Sequence, residues 1–241
     1  MPALVCGKPM LAAPDSGRLY RLIARLHSAP RRAGPAELRI DVDHQPAEIE
    51  NELDTIHRRI NRPGDALHNL PAICIDFPGL IFRYREADGE HYVYVEDPAR
   101  RRLAGYTVLN RLVEVNRSAD RHLRAPHSKY APAYQRRGIA TAIYRWWLES
   151  GRCLITGARQ SSAANALWHS LSGRYELIYV DLRDKHLRCL GPQIDSSTLE
   201  DLHTRMVLLG KGWDVERLAD STGMHIDAAP SEEVDNVRRY Y

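Results

Sequence analysis

Several strand-like runs follow one another closely between residues 72 and 115, and they constrain the fold more than any other feature of the sequence. They cover residues 72–86, 91–97 and 103–115, and a fourth strand is expected within 120–130. Pro78-Gly79 splits the first run into a hairpin or two short strands. Because consecutive strands with short connections usually pair with each other, these runs predict a mostly antiparallel sheet.

Helical patterns lie on both sides of these strands. Pro46 opens an amphipathic helix that NRPGD at 61–65 ends. After Tyr134, an apolar and aromatic helix runs to about Ser150 and ends at Gly151. Next come a short buried strand at 152–158 and a helix at 161–173. A hairpin follows, with one strand at 175–182 and the other at 185–191. The order predicts an α/β fold of the α+β type, with a mixed sheet flanked by helices.

The two ends of the chain differ in composition from this block. Residues 1–36 are rich in Ala, Pro, Gly and Arg, with one amphipathic helix expected at 16–28. A strand is expected at 37–43. Beyond Pro192 we expect two further helices, over 196–210 and 214–223, and then an acidic tail. The predicted parts are an N-terminal extension (1–36), an α/β domain (37–191) and a C-terminal helical appendage with tail (192–241).

Composition excludes several classes of protein. The net charge of +3 on 241 residues is less basic than is usual for nucleic-acid binding. The four cysteines, Cys6, Cys74, Cys153 and Cys189, form no CxxC pair, which argues against a zinc knuckle and a disulfide framework. No apolar run approaches a membrane span, and the sequence lacks a signal-peptide pattern at its start. We therefore expect a cytoplasmic protein, and no metal site, because no ligand pair has a confirming partner.

The stretch YQRRGIATAIYRWW (134–147) places a polar turn directly before an apolar helix. It is either an ordinary loop-to-helix junction or a helix N-terminus that is kept open for an anion. Unpaired N–H groups and partial positive charge at a helix N-terminus attract anions. Gly138 leaves room for an approaching group, and Arg136 and Arg137 add positive charge.

Residues 130–140, YAPAYQRRGIA, resemble the acetyl-CoA pyrophosphate loop of the GNAT superfamily of N-acetyltransferases. Gln135, Gly138 and Ala140 match the family's Gln/Arg-x-x-Gly-x-Gly/Ala signature, with Pro132 and Tyr134 ahead of it. The helix at 161–171 is similar to the family's second cofactor helix, and YVYVEDPARRRLAGYTVL to its central hairpin. The order of elements from 37 to 191 agrees, so the resemblance covers about two-thirds of the chain.

The resemblance implies transfer of an acetyl group from acetyl-CoA to an amine by direct attack on the thioester. It implies a splay between two strands, where backbone N–H groups near Tyr130 would polarise the thioester carbonyl. The residues expected to bind acetyl-CoA are Tyr130, Gln135, Arg136, Arg137, Gly138, Ile139, Ala140, Thr141, Ser161, Asn165 and Trp168. The acceptor stays open between a protein amine, a small-molecule amine and an aminoacyl group on RNA, and a homodimer is also left open.

Two departures from the family pattern concern the catalytic groups. Ser161 stands where the family has Asn, and Trp168 where it frequently has the Tyr that protonates the leaving thiolate. Since an indole N–H is not a proton donor at neutral pH, Tyr175, Ser161 or a water would have to supply the acid. Candidates for the base are Glu114 on the third strand, Asp120, His122 and His127 around the fourth, and a water relay.

Two alternatives to an enzyme are considered. One is a GNAT-fold module that binds CoA or a protein partner without turnover, which the Trp168 substitution motivates. The other is DNA binding, because residues 213–224, WDVERLADSTGM, resemble the first helix and turn of a helix-turn-helix. The next segment is acidic and contains Pro230, so no reading helix is expected and DNA is not an expected partner.

Overall fold

Ten strands form one sheet in the computed structural model, which describes residues 45–227 of the chain. In chain order the strands are β1 (Ala72–Ile73), β2 (Ile81–Ala87), β3 (Glu90–Asp97), β4 (Arg102–Asn110), β5 (Leu123–Tyr130), β6 (Cys153–Ile155), β7 (Leu177–Arg183), β8 (His186–Gly191), β9 (Thr204–Leu208) and β10 (His225–Ile226). The helices are α1 (Pro46–Ile60), α2 (Arg117–His122), α3 (Ile139–Glu149), α4 (Ser162–Ser172), α5 (Ser196–Glu200) and α6 (Val215–Thr222).

The sheet is mixed, with the strand order β1-β2-β3-β4-β5-β6-β9-β7-β8-β10. Strands β1 to β5 pair antiparallel in sequence order. β6 is parallel to β5, as is usual for strands joined by a helical crossover, which here contains α3. β9 then lies between β6 and β7 and is antiparallel to both.

Helices cover both faces of the sheet. On one face α3 and α4 meet through the edge-on rings of Tyr144 and Trp168, over a core that includes Val93 and Leu109. On the opposite face α1 packs on β4. Farther along that face, α2 and α6 cover a second apolar cluster, which contains Ile178, Val207 and Leu218 among others.

The structure confirms the predicted mixed sheet flanked by helices. The expected helix from Pro46 to Ile60 is present, and the run interrupted by Pro78-Gly79 forms the short antiparallel pair β1 and β2. The fourth strand is β5, and the hairpin near Asp184 is formed by β7 and β8. The expected helix at 16–28, the strand at 37–43 and the acidic tail lie outside the described residues.

The helix expected over residues 196–210 is wrong. Only Ser196–Glu200 is helical, and Thr204–Leu208 form a strand inside the sheet. The buried run Met206, Val207 and Leu208 is covered on both faces, and a short apolar run of this kind cannot be distinguished from a helix by periodicity. Residues 192–208 therefore contribute to the sheet itself rather than to a helical appendage.

The strand expected over 103–115 is shorter than predicted. β4 ends at Asn110, and residues 111–116 cross to the turn between β7 and β8, where Val115 bridges Lys185 and Asn116 donates a backbone hydrogen bond to the Lys185 carbonyl. Helix α2, which the sequence analysis missed, then returns the chain to β5. After α6, Gly223 leads into β10, so no second helix of a helix-turn-helix is present up to residue 227.

Candidate functional site

The sheet opens between β5 and β6. The two strands pair only at their starts, where Leu123 faces Cys153 and Arg124 faces Leu154. β6 ends at Ile155, whereas β5 stays paired with β4 on its other side as far as Tyr130. From residue 125 to Tyr130, β5 therefore has one edge that no strand covers. The space between this edge and the end of β6 is called the gap.

Two backbone N–H groups on β5 point towards this gap. The Ala131 N–H donates to the Ala104 carbonyl on β4 (3.0 Å). Because backbone groups alternate between the two sides of an extended strand, Tyr130 and Ser128 direct theirs to the opposite side. Pro126 occupies the next alternate position and has no N–H. The open edge thus offers the amides of Ser128 and Tyr130 to any acceptor that enters the gap.

A tight turn connects β5 to helix α3. Pro132–Tyr134 form one 3-10 turn, after which the Gln135 side-chain amide donates to the Tyr130 carbonyl (2.9 Å). Gln135 is therefore used to close the loop. The Tyr134 hydroxyl donates to the buried carboxylate of Asp97 (2.7 Å), and the Arg137 guanidinium lies over the Tyr134 ring at 5.5 Å from its centroid. These contacts anchor the loop to the end of β3.

Helix α3 begins without a side-chain cap. Its N-cap residue is Gly138, which has φ +82° and leaves open space where a Cβ would point. The first intrahelical bond runs from the Ala142 N–H to the Gly138 carbonyl, so the preceding N–H groups have no helical acceptor. In contrast, α2, α4, α5 and α6 each have a side-chain oxygen as cap, from Asn116, Ser161, Asp195 and Asp214.

The residues predicted to surround this helix start fall into two groups. Arg136 and Arg137 are exposed, and Arg136 adopts a positive φ of 57°. Ile139 is buried in the core, while Ala140 and Thr141 are half-buried, so at this end of α3 they contribute mainly backbone N–H groups. The structure therefore places two exposed arginines directly before an uncapped helix N-terminus, at the end of the loop that follows β5.

The predicted residues on α4 have mainly structural roles. The Ser161 hydroxyl accepts from the Ala164 N–H (3.1 Å) and caps the helix, and Asn165 is half-buried. Trp168 is only 2% exposed and packs edge-on against Tyr144, with 6.5 Å between ring centroids. The indole at position 168 is thus part of the hydrophobic core.

A buried cluster of hydroxyl groups lies beneath α3, and the sequence analysis missed it. The Thr107 hydroxyl is 2.8 Å from that of Ser128 and 2.9 Å from that of Tyr130. The Tyr144 hydroxyl also reaches Ser128, and burial raises the pKa of Tyr144 to about 12. Thr107 and Ser128 face each other across β4 and β5, so the strand register could have indicated this pair.

A second polar cluster lies on the opposite face of β5, under α1. The Glu52 carboxylate accepts from the Lys129 ammonium (2.9 Å) and from the Tyr106 hydroxyl (2.5 Å). Burial raises the pKa of Tyr106, and the hydrogen bond to Glu52 adds to this effect. Glu52 and Lys129 are distant in sequence, so no local pattern could have predicted their pairing.

Glu114 lies on the segment that crosses the sheet, not on the third strand. Its carboxylate accepts from the guanidinium of Arg205 (3.2 Å), a residue of β9 that is only 4% exposed. Asp120 holds the start of this segment, because its carboxylate accepts from the Arg111 side chain (2.8 Å) and from the Leu112 N–H (3.3 Å). Asp120 therefore has a structural role, and Glu114 is already engaged in an ion pair.

The remaining candidates lie in different parts of the fold. His127 is exposed on β5, on the same face as Lys129. His122 is the last residue of α2, with its ring 5.0 Å from that of Trp213, and burial lowers its pKa. The Tyr175 hydroxyl donates to Glu149 at the C-terminal end of α3 (2.8 Å). The structure therefore separates Tyr175 from the loop by the length of α3, about 16 Å for 11 residues.

Residues 45–227 contain no group of three or more His, Cys, Asp or Glu side chains arranged to hold a metal ion. Within the same range, no helix has the length and apolar character needed to cross a membrane.

Comparisons with known proteins give one distant likeness. No protein-family model and no curated protein matches the chain. Among solved structures, the chain is similar to a chimera of the spermidine N-acetyltransferase SpeG from Vibrio cholerae and hSSAT, at 15% identity and a TM-score of 0.32. The match covers 66% of this chain and 90% of the chimera. A likeness this distant carries no weight for function, which is inferred instead from the geometry of this chain.

Proposed function

We propose that this chain is an N-acetyltransferase that transfers an acetyl group from acetyl-CoA to an amine. The observation that carries the proposal is the gap between β5 and β6, which opens beside the uncapped N-terminus of α3. This arrangement combines an anion site with two strand amides directed into the same opening. It is also the arrangement that the sequence resemblance to the GNAT superfamily implies.

The start of α3 is proposed to bind the pyrophosphate of acetyl-CoA. Free N–H groups and the positive end of the helix dipole favour a negatively charged group there. Arg136 and Arg137 add two exposed cations, and Gly138 keeps the approach clear of side-chain atoms. The Tyr134–Asp97 hydrogen bond and the Gln135–Tyr130 hydrogen bond hold the loop in place before the ligand arrives.

The open edge of β5 is proposed to receive the thioester carbonyl. When an amine attacks the carbonyl carbon, negative charge develops on the carbonyl oxygen. Preorganised N–H donors at that oxygen typically contribute about 3 kcal/mol to transition-state stabilisation. Ser128 and Tyr130 are the two candidate donors. Their N–H groups lie about 6.7 Å apart along the strand, so the carbonyl oxygen accepts from one of them and the other stays available to a second acceptor of the ligand. The strand is fixed by β4 on its other side.

The amine is proposed to approach from the sheet face opposite α3 and α4. That face carries Glu52, Lys129 and Tyr106 beside β5, and Glu114 with Arg205 on the far side of the gap. The Glu114 side chain stays 57% exposed in its ion pair with Arg205, so its carboxylate can also accept from an acceptor that arrives as an ammonium ion. The attacking nitrogen must lose a proton, and the departing thiolate must gain one.

The alternative is a protein of the same fold that binds CoA without turnover. It is favoured by Trp168, because an indole in the core cannot protonate a leaving thiolate. Tyr144 beside it is buried, and its raised pKa makes it a weak proton donor. Under this alternative, CoA binds but no thiol is released.

A thiol-release assay distinguishes the two functions. The full chain is incubated with acetyl-CoA and a panel of small amines, peptides and aminoacyl-tRNA, and free CoA thiol and acetylated products are measured together. Catalysed thiol release that requires one class of acceptor supports the enzyme. Binding of CoA without acceptor-dependent release supports the alternative. Absence of CoA binding contradicts both.

A further inference from the structure

Three consecutive arginines form the turn between β3 and β4, close to the loop that precedes α3. Arg100 and Arg101 are exposed and Arg102 is half-buried. Arg101 adopts a positive φ of 51° at the corner of the turn. The sequence resemblance to the GNAT superfamily assigned these residues no role.

Asp97 joins this turn to the loop. Its carboxylate accepts from the Arg100 guanidinium (2.8 Å) and from the Tyr134 hydroxyl (2.7 Å), and it also accepts from the Arg100 backbone N–H (3.0 Å). These hydrogen bonds lower the pKa of Asp97 to about 2, and the bond from the Arg100 side chain has the largest effect. The carboxylate therefore stays charged at neutral pH. The turn and the loop are therefore held together as one unit.

Arg100 and Arg102 are also close enough to Tyr134 to act on its hydroxyl. Burial raises the pKa of Tyr134 and Asp97 adds to this, while the charges of the two arginines oppose it. The guanidinium of Arg137 lies over the same ring. Tyr134 thus connects the arginines of the turn with those of the loop.

The positive charge of this unit is only partly compensated. Asp97 pairs with Arg100, and Glu50 of α1 lies 3.5 Å from Arg102. Among residues 45–227, no acidic side chain forms an ion pair with the three other arginines, which are Arg101, Arg136 and Arg137. The loop arginines and the start of α3 suffice for one pyrophosphate. Arg101 therefore has no acidic partner within the described part of the chain and is not needed for binding of the pyrophosphate.

We propose that Arg101, supported by Arg100 and Arg102, forms a second phosphate subsite that binds the 3′-phosphate of CoA. This inference rests on the proposed function. CoA carries its 3′-phosphate on the ribose next to the pyrophosphate, so a ligand held at α3 places it near the loop. A phosphomonoester has a charge of about −1.5 to −2, and guanidinium groups bind such oxygens bidentately.

Binding of CoA and of 3′-dephospho-CoA to the full chain tests the subsite. We expect the wild-type chain to bind CoA roughly tenfold more tightly, and the difference to shrink at high salt, because the subsite is exposed. Arg101→Gln should reduce this preference severalfold while leaving the affinity for dephospho-CoA unchanged. Arg101→Lys should retain most of the preference because it keeps the charge. Arg121→Gln, at an exposed position of α2, is the matched control.

The outcomes separate this inference from the proposed function. Equal binding of both ligands by the wild-type chain, or a preference that Arg101→Gln does not change, overturns the subsite and leaves the proposed function intact. An equal loss of affinity for both ligands in Arg101→Gln also overturns it, because Arg101 would then act on the pyrophosphate. If an RNA oligonucleotide binds through Arg101 at saturating CoA, the subsite serves an acceptor phosphate and the inference fails. If neither CoA nor dephospho-CoA binds, the proposed function itself fails.

Discussion

At the scale of single residues, His91 on β3 shows how burial controls an ionisable side chain in this core. Its ring lies 4.7 Å from that of Trp147 and its Nδ1 is 2.6 Å from the Tyr84 hydroxyl. Burial lowers the pKa of His91 to about 4, and the nearby Arg152 adds to this, although Glu86 opposes it. His91 is therefore neutral in the folded protein at neutral pH.

We expect His91 to make the free energy of unfolding depend on pH. An unfolded histidine binds a proton below its ordinary pKa of 6.5, whereas folded His91 does so only near 4. The contribution of His91 to the free energy of unfolding is therefore complete above pH 6.5. It is lost as the pH falls towards 4, and the loss is on the order of 1 to 2 kcal/mol. Urea unfolding of wild type and His91→Gln between pH 7 and pH 4 measures it. A wild-type curve parallel to that of the variant would refute this account.

At the scale of elements, one buried ion pair connects α1 to β5. Glu52 lies on α1, and both Lys129 and Tyr106 donate to its carboxylate from the sheet. Lys129 is only 8% exposed, so removing the carboxylate would leave a buried ammonium without its counter-charge. The pair therefore fixes the position of α1 beside the strand that borders the gap.

We expect Glu52→Gln to destabilise the fold by about 3 kcal/mol, because an unpaired buried charge is costly. The double variant Glu52→Gln, Lys129→Met should recover most of this loss, since the apolar side chain of methionine tolerates burial. Chemical denaturation of wild type, both single variants and the double variant gives the coupling free energy between Glu52 and Lys129. If the two single effects simply add in the double variant, the buried pair does not act as described.

At the scale of the whole molecule, the sheet depends on a strand that comes late in the chain. β9 lies between β6 and β7 in the sheet and pairs with both, and without it the sheet would end at β6, beside the gap. Val207, the fourth residue of this strand, is fully buried. The part of the chain after residue 191 is therefore needed to build the sheet that positions the site.

We expect Val207→Asp to prevent cooperative folding, because a carboxylate would be buried between apolar side chains without a partner. Leu202→Asp is the matched control, since Leu202 is 49% exposed and lies just before the same strand; it should change stability by less than about 0.5 kcal/mol. Circular dichroism with thermal unfolding of both variants makes the comparison. A Val207→Asp protein as stable as the Leu202→Asp protein would show that β9 is not in the core.

The sequence predicted the parts of the fold that local patterns encode. Gly138, followed by apolar residues at helical spacing, was sufficient to predict α3 and its start. The position of β9 was not predictable, because MVLL at 206–209 has no period that separates strand from helix. The donors Ser128 and Tyr130 depend on the pairing of β5 with β4, and the Glu52–Lys129 pair on how α1 packs against β5. Both features depend on tertiary packing, which no local sequence pattern predicts.

The central claim is that the start of α3 holds the pyrophosphate of acetyl-CoA, and calorimetric titration of acetyl-CoA tests it most directly. The titration compares wild type, Gly138→Gln and Gly138→Glu; both variants place a side chain of the same length at a positive φ, and only Glu adds negative charge. We predict that Gly138→Gln weakens binding, because its side chain enters the space that Gly138 keeps clear, and that Gly138→Glu weakens binding at least tenfold further, about 1.4 kcal/mol, because of its charge. Equal affinities for the Gln and Glu variants, or no binding by the wild-type chain, would contradict the account.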